Sequence, residues 1–240
     1  MGSLGTFQFN QDGGASSNSI DDVLPFAYEE PWDPGMGTNE GNIFGAAVNK
    51  GSVSYKTPAF ELPAGVTVSL TADYDPQANV AAPTPGAVGT DGASGEAFTI
   101  KLAHESGLTL GGGNMKVGNT AARVGESAAT GYAKYSNGGL TVGYQEFYYN
   151  APSEGADTDG DGMAIAYTAG DVTISYSVMN ETTNAHGATA ALEEEEISAF
   201  QAAYSMGGMT LAASLYEADN IEGVEGVKYE ETELSVSFAF

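Results

Sequence analysis

The sequence predicts an all-β protein: a transmembrane antiparallel β-barrel with twelve strands present and one acidic loop folded back against them. Three observations carry this. Short segments with apolar residues at every second position recur along all 240 residues. The connections alternate between tight turns and long polar loops, as in a barrel with a short-turn side and a long-loop side. Many segments run to about nine to eleven residues, the length with which a tilted strand crosses a bilayer. Residues 1–240 read as one domain.

Taken in order, segment 3–9 alternates around Leu4, Thr6, Phe7 and Phe9 without settling its register. Segment 51–61 sets Val53, Tyr55, Thr57 and Ala59 against Ser52, Ser54 and Lys56. After the turn Leu62-Pro63-Ala64-Gly65, Val66, Val68, Leu70, Ala72 and Tyr74 alternate with Thr67, Ser69, Thr71 and Asp73, the clearest strand present. A loop rich in Pro, Ala and Gly, 75–94, precedes segment 95–105, where Phe98, Ile100 and Leu102 share a face. Ser106-Gly107 turns the chain into 108–117, a strand weakened by Gly111-Gly112-Gly113. Segments 126–136 and 139–150 flank Asn137-Gly138, the strongest hairpin signal. Beyond loop 151–162, segments 163–169 and 171–180 align Met163, Ile165 and Tyr167, then Val172, Ile174, Tyr176 and Val178. A polar loop carrying Glu193 to Glu196 leads to 197–206, and Gly207-Gly208 turns into 209–218. A last loop, 219–228, precedes 232–240, where Leu234, Val236, Phe238 and Phe240 lie on one face.

Segment 10–49 breaks the rhythm. It has no alternation, yet Val23, Leu24, Phe26, Tyr28 and Trp32 can anchor it. Ser19 can cap a short helical run, 20–24, with Asp21 and Asp22 in its first turn, and Pro25, Pro31 and Pro34 stop any continuation. Seven acids precede the first base, Lys50, so the segment reads as an ordered acidic loop packed on the strands that follow.

Composition narrows the function classes. A net charge of −25, from 32 acids against 7 bases, disfavours nucleic acid and anionic membrane surfaces as partners. With no cysteine, disulfides and zinc–thiolate sites are excluded. No run approaches the roughly 18 apolar residues of a membrane helix, and Met1 leads directly into a strand without a signal-peptide pattern. A soluble, secreted acidic β-rich binding or surface-layer module is the alternative that composition leaves open. The lysines argue for the barrel. Lys56, Lys101, Lys116 and Lys134 each sit between apolar neighbours, out of phase with the apolar face. A lysine facing lipid at mid-depth costs about 2–4 kcal/mol, so this phasing suits a polar lumen. Glu146 and His104 share the apolar parity but lie near strand ends, where that cost vanishes.

The strand GSLGTFQF, the acidic DGGASSNSIDDVLPFAYEE, the terminal SVSFAF and the loop rhythm between them resemble general porins of Gram-negative bacteria, of the alphaproteobacterial type. The resemblance covers essentially the whole chain. It implies a sixteen-stranded outer-membrane barrel, of which one strand before the acidic loop and eleven after it are present. The first four strands and the signal peptide would then be lacking. It further implies a homotrimer that passes small hydrophilic solutes, with 10–49 as the constriction loop. Asp21, Asp22, Glu29, Glu30 and Asp33 would be the selecting carboxylates, because clustered acids favour cations in a narrow passage. Phe238 and Phe240 would form the terminal signal read by the outer-membrane assembly machinery.

Other chemistry finds little support. Asp157-Thr158-Asp159-Gly160-Asp161-Gly162 opens like a calcium loop, but the twelfth position is Thr168 where a bidentate Glu belongs. Calcium at Asp157, Asp159 and Asp161 is the one cofactor suggested, and a polar turn is the plainer reading. His104 and His186 are the only histidines, and no nucleophile motif accompanies them, so no enzyme is expected. Tyr74, Tyr135, Tyr148, Tyr149 and Tyr216 stand near strand ends, as interfacial aromatics do.

Overall fold

The computed structural model describes residues 4–10, 20, 23–30, 51–78, 93–119, 125–151, 157–184 and 192–239. Thirteen strands form one antiparallel sheet: β1 (Thr6–Asn10), β2 (Ser52–Lys56), β3 (Phe60–Leu62), β4 (Val66–Ala78), β5 (Ala93–His104), β6 (Leu108–Val117), β7 (Ser127–Asn137), β8 (Leu140–Asn150), β9 (Asp157–Ala169), β10 (Val172–Asn184), β11 (Glu195–Met206), β12 (Met209–Asp219) and β13 (Lys228–Phe238). Each pairs with its neighbours in sequence, except that β2 and β3 both lie on β4. β1 and β13 end the order and are not paired with each other.

β2 and β3 are the single strand expected over 51–61, interrupted at Thr57-Pro58-Ala59. Pro58 has no N–H to give to a ladder. Thr57 covers part of the gap: its N–H reaches the Leu70 carbonyl at 2.9 Å, and its Oγ1 accepts the Leu70 N–H at 3.0 Å. With that join the sheet has the twelve strand positions expected. The hairpin at Asn137 closes with Asn137 opposite Leu140. Its two loop residues, Gly138 (φ 58°) and Gly139 (φ 88°), take the left-handed backbone that two-residue hairpins demand.

The largest departure lies between β8 and β10. The polar loop expected over 151–162 gives way to strand at Asp157, and β10 continues to Asn184. Asp, Gly and Thr are weak strand formers, but pairing overrides propensity here. Asp157 opposes Asn184, Asp159 opposes Thr182, and the Asn184 amide donates to Asp159 at 3.0 Å.

Alternation gives the sheet two unlike faces. One carries Leu70, Phe98, Ile100, Ile165, Tyr176, Phe200, Leu215 and Val236, and its large side chains are open: Phe98 is 51% exposed, Ile165 46% and Leu215 53%. Toward the long loops this face turns acidic, through Glu146, Asp161, Glu196 and Asp219, which stand in register across β8, β9, β11 and β12. The other face carries Ser, Thr, Ala, Gly and Gln. Residues 20 and 23–30 lie on it, so the core sits between this strap and the sheet. Ile20 and Val23 pack with Ala97, Met115, Val117 and Ala128, and Leu24 packs with Ala164, Met179, Ile197 and Tyr216.

Candidate functional site

The described strap begins in a helical turn at Ile20 and runs irregularly from Val23 to Glu30. Apolar pegs and wall hydrogen bonds hold it. At its start, Gln145 Nε2 donates to the Ile20 carbonyl at 2.9 Å and to Thr130 Oγ1 at 2.8 Å. In the middle, Leu24 sits over Gly143 and Gly162. A Cβ on Gly143 would fall 2.9 Å from Leu24 Cδ2, and one on Gly162 would fall 3.0 Å from Leu24 Cδ1. Two glycines thus form a notch that any side chain would fill. Burying a leucine there contributes about 1.5–3 kcal/mol.

The far end is clamped by polar groups. Ser175 Oγ accepts the Ala27 N–H at 2.9 Å, and Gln201 Oε1 accepts the Tyr28 N–H at 3.1 Å. Gln201 Nε2 donates to the Glu29 carbonyl at 2.5 Å and to the Tyr216 hydroxyl at 3.2 Å. That hydroxyl donates in turn to Glu29 Oε1 at 3.2 Å. Ser175, Gln201 and Tyr216 are buried, whereas Glu29 and Glu30 are partly exposed. The arrangement therefore places two carboxylates beside a polar face, on a strap fixed at both described ends.

Of the acids expected at this site, Glu29 and Glu30 are on the strap, and Asp21, Asp22 and Asp33 lie outside the described residues. Three lysines share the strap's face. Lys56 stands opposite Thr71, Lys101 opposite Ser69 and Gly111, and Lys134 opposite Thr109 and Gly143. Lys134 therefore neighbours the Leu24 notch. Lys116 does not join them. Its strand neighbours Met115 and Val117 point into the core beneath the strap, so Lys116 falls on the open face, opposite Glu96. Met115 and Val117 were expected on the outer face and are on the inner one, whereas Leu108 and Leu110 of the same strand are on the open face.

Asp157, Asp159 and Asp161 occupy alternate positions of one extended strand, spaced about 7 Å apart, and cannot wrap one ion as a loop does. Two of the carboxylates take local partners: Asp157 accepts the Ala151 N–H at 3.0 Å and Asp159 the Asn184 amide at 3.0 Å. Among the described residues, no group of three or more His, Cys, Asp or Glu is placed to hold a metal. Phe238 is on the open face opposite Met209, and Phe240 lies outside the described residues. Tyr74, Tyr135 and Tyr148 are on the open face. Tyr216, expected with them, is 1% exposed and part of the clamp, and Tyr149 faces inward onto Glu126.

Sequence reasoning missed Gln145, Ser175, Gln201 and Tyr216. Gln201 did carry a faint signal: it is a long polar side chain between Ala199 and Ala203 on its parity of the strand. Elsewhere, a groove of about 550 Å³ lies on the open face between Tyr55, Leu70, Phe98 and Gly112, lined by apolar and small polar side chains.

An up-and-down antiparallel wall with one apolar face, one polar face and a strap across the polar one defines a porin-type architecture. Solved structures agree. A porin structure matches with a TM-score of 0.68 and 16% identity, over 100% of this chain and 79% of that one. OmpT of Vibrio cholerae, an outer-membrane protein, matches at 0.61 and 15%, over 96% of this chain and 75% of that one. The outer-membrane channel DcaP of Acinetobacter baumannii matches at 0.56 and 12%, over 96% and 70%. At these identities the likeness is one of fold. No protein-family model matches the chain, and no curated protein does.

Proposed function

We propose that the chain forms the wall of a passive diffusion channel in the bacterial outer membrane, passing small hydrophilic solutes and ions with a preference for cations. The observation that carries this is the acidic strap docked on the polar face of a sheet whose other face is apolar and open. A soluble module would leave side chains such as Phe98 and Leu215, each more than half exposed, facing water. Lipid accepts them. The strap face would then line the lumen, where Glu29 and Glu30, with Asp21, Asp22 and Asp33 nearby in sequence, lower the energy of a passing cation. No catalytic step enters this reading.

In lipid the free edges of β1 and β13 need partners, because unpaired backbone groups cost several kcal/mol each there. Further strands, completing a barrel of sixteen, would supply them, in keeping with the unmatched lengths of the structural neighbours. A homotrimer, and reading of the last strand by the outer-membrane assembly machinery, are proposed on the resemblance alone.

The test is recording in a planar bilayer under a salt gradient, with the chain refolded in detergent. Discrete current steps are expected, with a reversal potential on the cation side. The double substitution Glu29→Gln and Glu30→Gln should move that potential toward zero. An anion-side reversal, or one indifferent to both substitutions, would overturn the cation reading. Absence of steps from folded chain would show that it does not conduct alone.

A further inference from the structure

We infer that Gln201 and Tyr216 are positioning residues that hold the Glu29 carboxylate at a fixed place in the passage through neutral hydrogen-bond donors. The inference rests on the channel reading above and names the device by which the wall sets selectivity.

The hydrogen bonding is directional. An amide can make four bonds, two at its oxygen and two at its nitrogen, and Gln201 makes all four. Its oxygen takes the Tyr28 N–H and the Ser175 hydroxyl (3.3 Å), and its nitrogen serves the Glu29 carbonyl and Tyr216. A flipped amide would set its NH2 against the Tyr28 N–H and its oxygen against a carbonyl, so one orientation is imposed. Because Gln201 donates to the Tyr216 oxygen, the tyrosine proton is left to point at Glu29. The relay Ser175 to Gln201 to Tyr216 therefore ends on the carboxylate. Gln201 is 0% exposed and Tyr216 1% exposed, so neither can move to follow a loose strap.

The chemistry of the clamp matters as much as its geometry. A lysine or arginine at Gln201 or Tyr216 would hold the strap equally firmly and neutralise it. Serine, glutamine and tyrosine hold it with neutral donors. Charge-assisted bonds to a carboxylate are the stronger kind, so Tyr216 contributes more than an ordinary hydroxyl would. A carboxylate that wandered off the wall would still be negative, but its distance from the ion path would vary and its effect would average down.

Three variants test this with two readouts. Tyr216→Phe deletes one hydroxyl and keeps the ring. Gln201→Leu deletes all four bonds at similar volume. Glu29→Gln keeps the acceptor oxygen and removes the charge. The first readout is amide hydrogen exchange at Ala27 and Tyr28 in detergent-refolded chain, which does not require conduction. Exchange should quicken by roughly fivefold in Tyr216→Phe and by tenfold or more in Gln201→Leu, and stay unchanged in Glu29→Gln. The second is the reversal potential, which should move toward zero in all three, with added open-channel noise only in the first two. Unchanged exchange in Gln201→Leu, with heat-modifiable migration of the folded barrel retained, overturns the positioning role. Quickened exchange with an unmoved reversal potential in Glu29→Gln spares the clamp and overturns the selectivity reading instead. Loss of heat-modifiable migration in both Gln201→Leu and Tyr216→Phe would make the two residues pillars of the fold and would also overturn the inference.

Discussion

Gly143→Ala should lift the strap off the wall while leaving the sheet intact. The added Cβ would lie 2.9 Å from Leu24 Cδ2 and 3.1 Å from Pro25 Cδ. Carbon atoms rest about 3.5–4.0 Å apart, so one side must retreat by about 0.5–1 Å. Gly143 belongs to β8, laddered on both sides to Lys134 and Ala164, whereas the strap has no ladder. The retreat therefore falls on Leu24 and Pro25. Overpacking of this size costs about 1–3 kcal/mol, which lowers the docked-to-undocked ratio roughly five- to 150-fold. The absence of cysteine makes the measurement clean. A single Ala27→Cys, labelled by a polar thiol reagent, should react faster in the Gly143→Ala background by a factor in that range. Gly131→Ala serves as control, since its Cβ meets nothing closer than the Gly111 carbonyl oxygen at 3.9 Å. Equal labelling rates in both backgrounds, with the barrel folded, would refute the notch.

Further expectations follow from the two faces and the interrupted strand. Ile165→Arg, in the apolar band of the open face, should cost about 2–4 kcal/mol in urea unfolding from vesicles; a neutral result would mean that this face does not meet lipid. Thr57→Val keeps shape but leaves the Leu70 N–H without its Oγ1 acceptor, and should lose about 0.5–1 kcal/mol, with Thr57→Ser restoring it. Gln145→Leu should free the Ile20 end of the strap while amide protection at Tyr28 persists; loss of protection at both ends would mean that the strap docks as one unit.

Strand positions were legible because a period of two is hard to disguise over ten residues. Parity also set Lys56, Lys101 and Lys134 against their apolar neighbours, which is the face the pairing registers give them. Lys116 shows the limit. Parity separates two faces, but it does not say whether an apolar residue meets lipid or the underside of a strap, and Met115 and Val117 meet the strap. The start of β9 was obscured for a different reason: Asp157 to Gly162 has turn composition, and only its long pairing with β10 makes it strand. The clamp was illegible altogether. Its members are three polar residues on three strands, joined to one another by a segment about 150 to 190 positions earlier. What could be read locally was the acidity of that segment and its apolar pegs, among which Leu24 found a seat that glycines cannot advertise.

The nearest-neighbour pairing of every strand has a consequence for the order of assembly. Each hairpin can zip onto the one before it with little chain to gather, so the sheet can grow from either end. The strap obeys a different clock. Its contacts span 125 residues to Gln145, 148 to Ser175, 173 to Gln201 and 187 to Tyr216. It precedes its own seat in the chain, and the Tyr216 end of that seat is complete only when β12 has joined β11. Docking of the Glu29 end must therefore come late. Until it does, an acidic, apolar-pegged segment waits beside a growing wall, and whatever keeps it from seating in the wrong register decides the yield of working molecules.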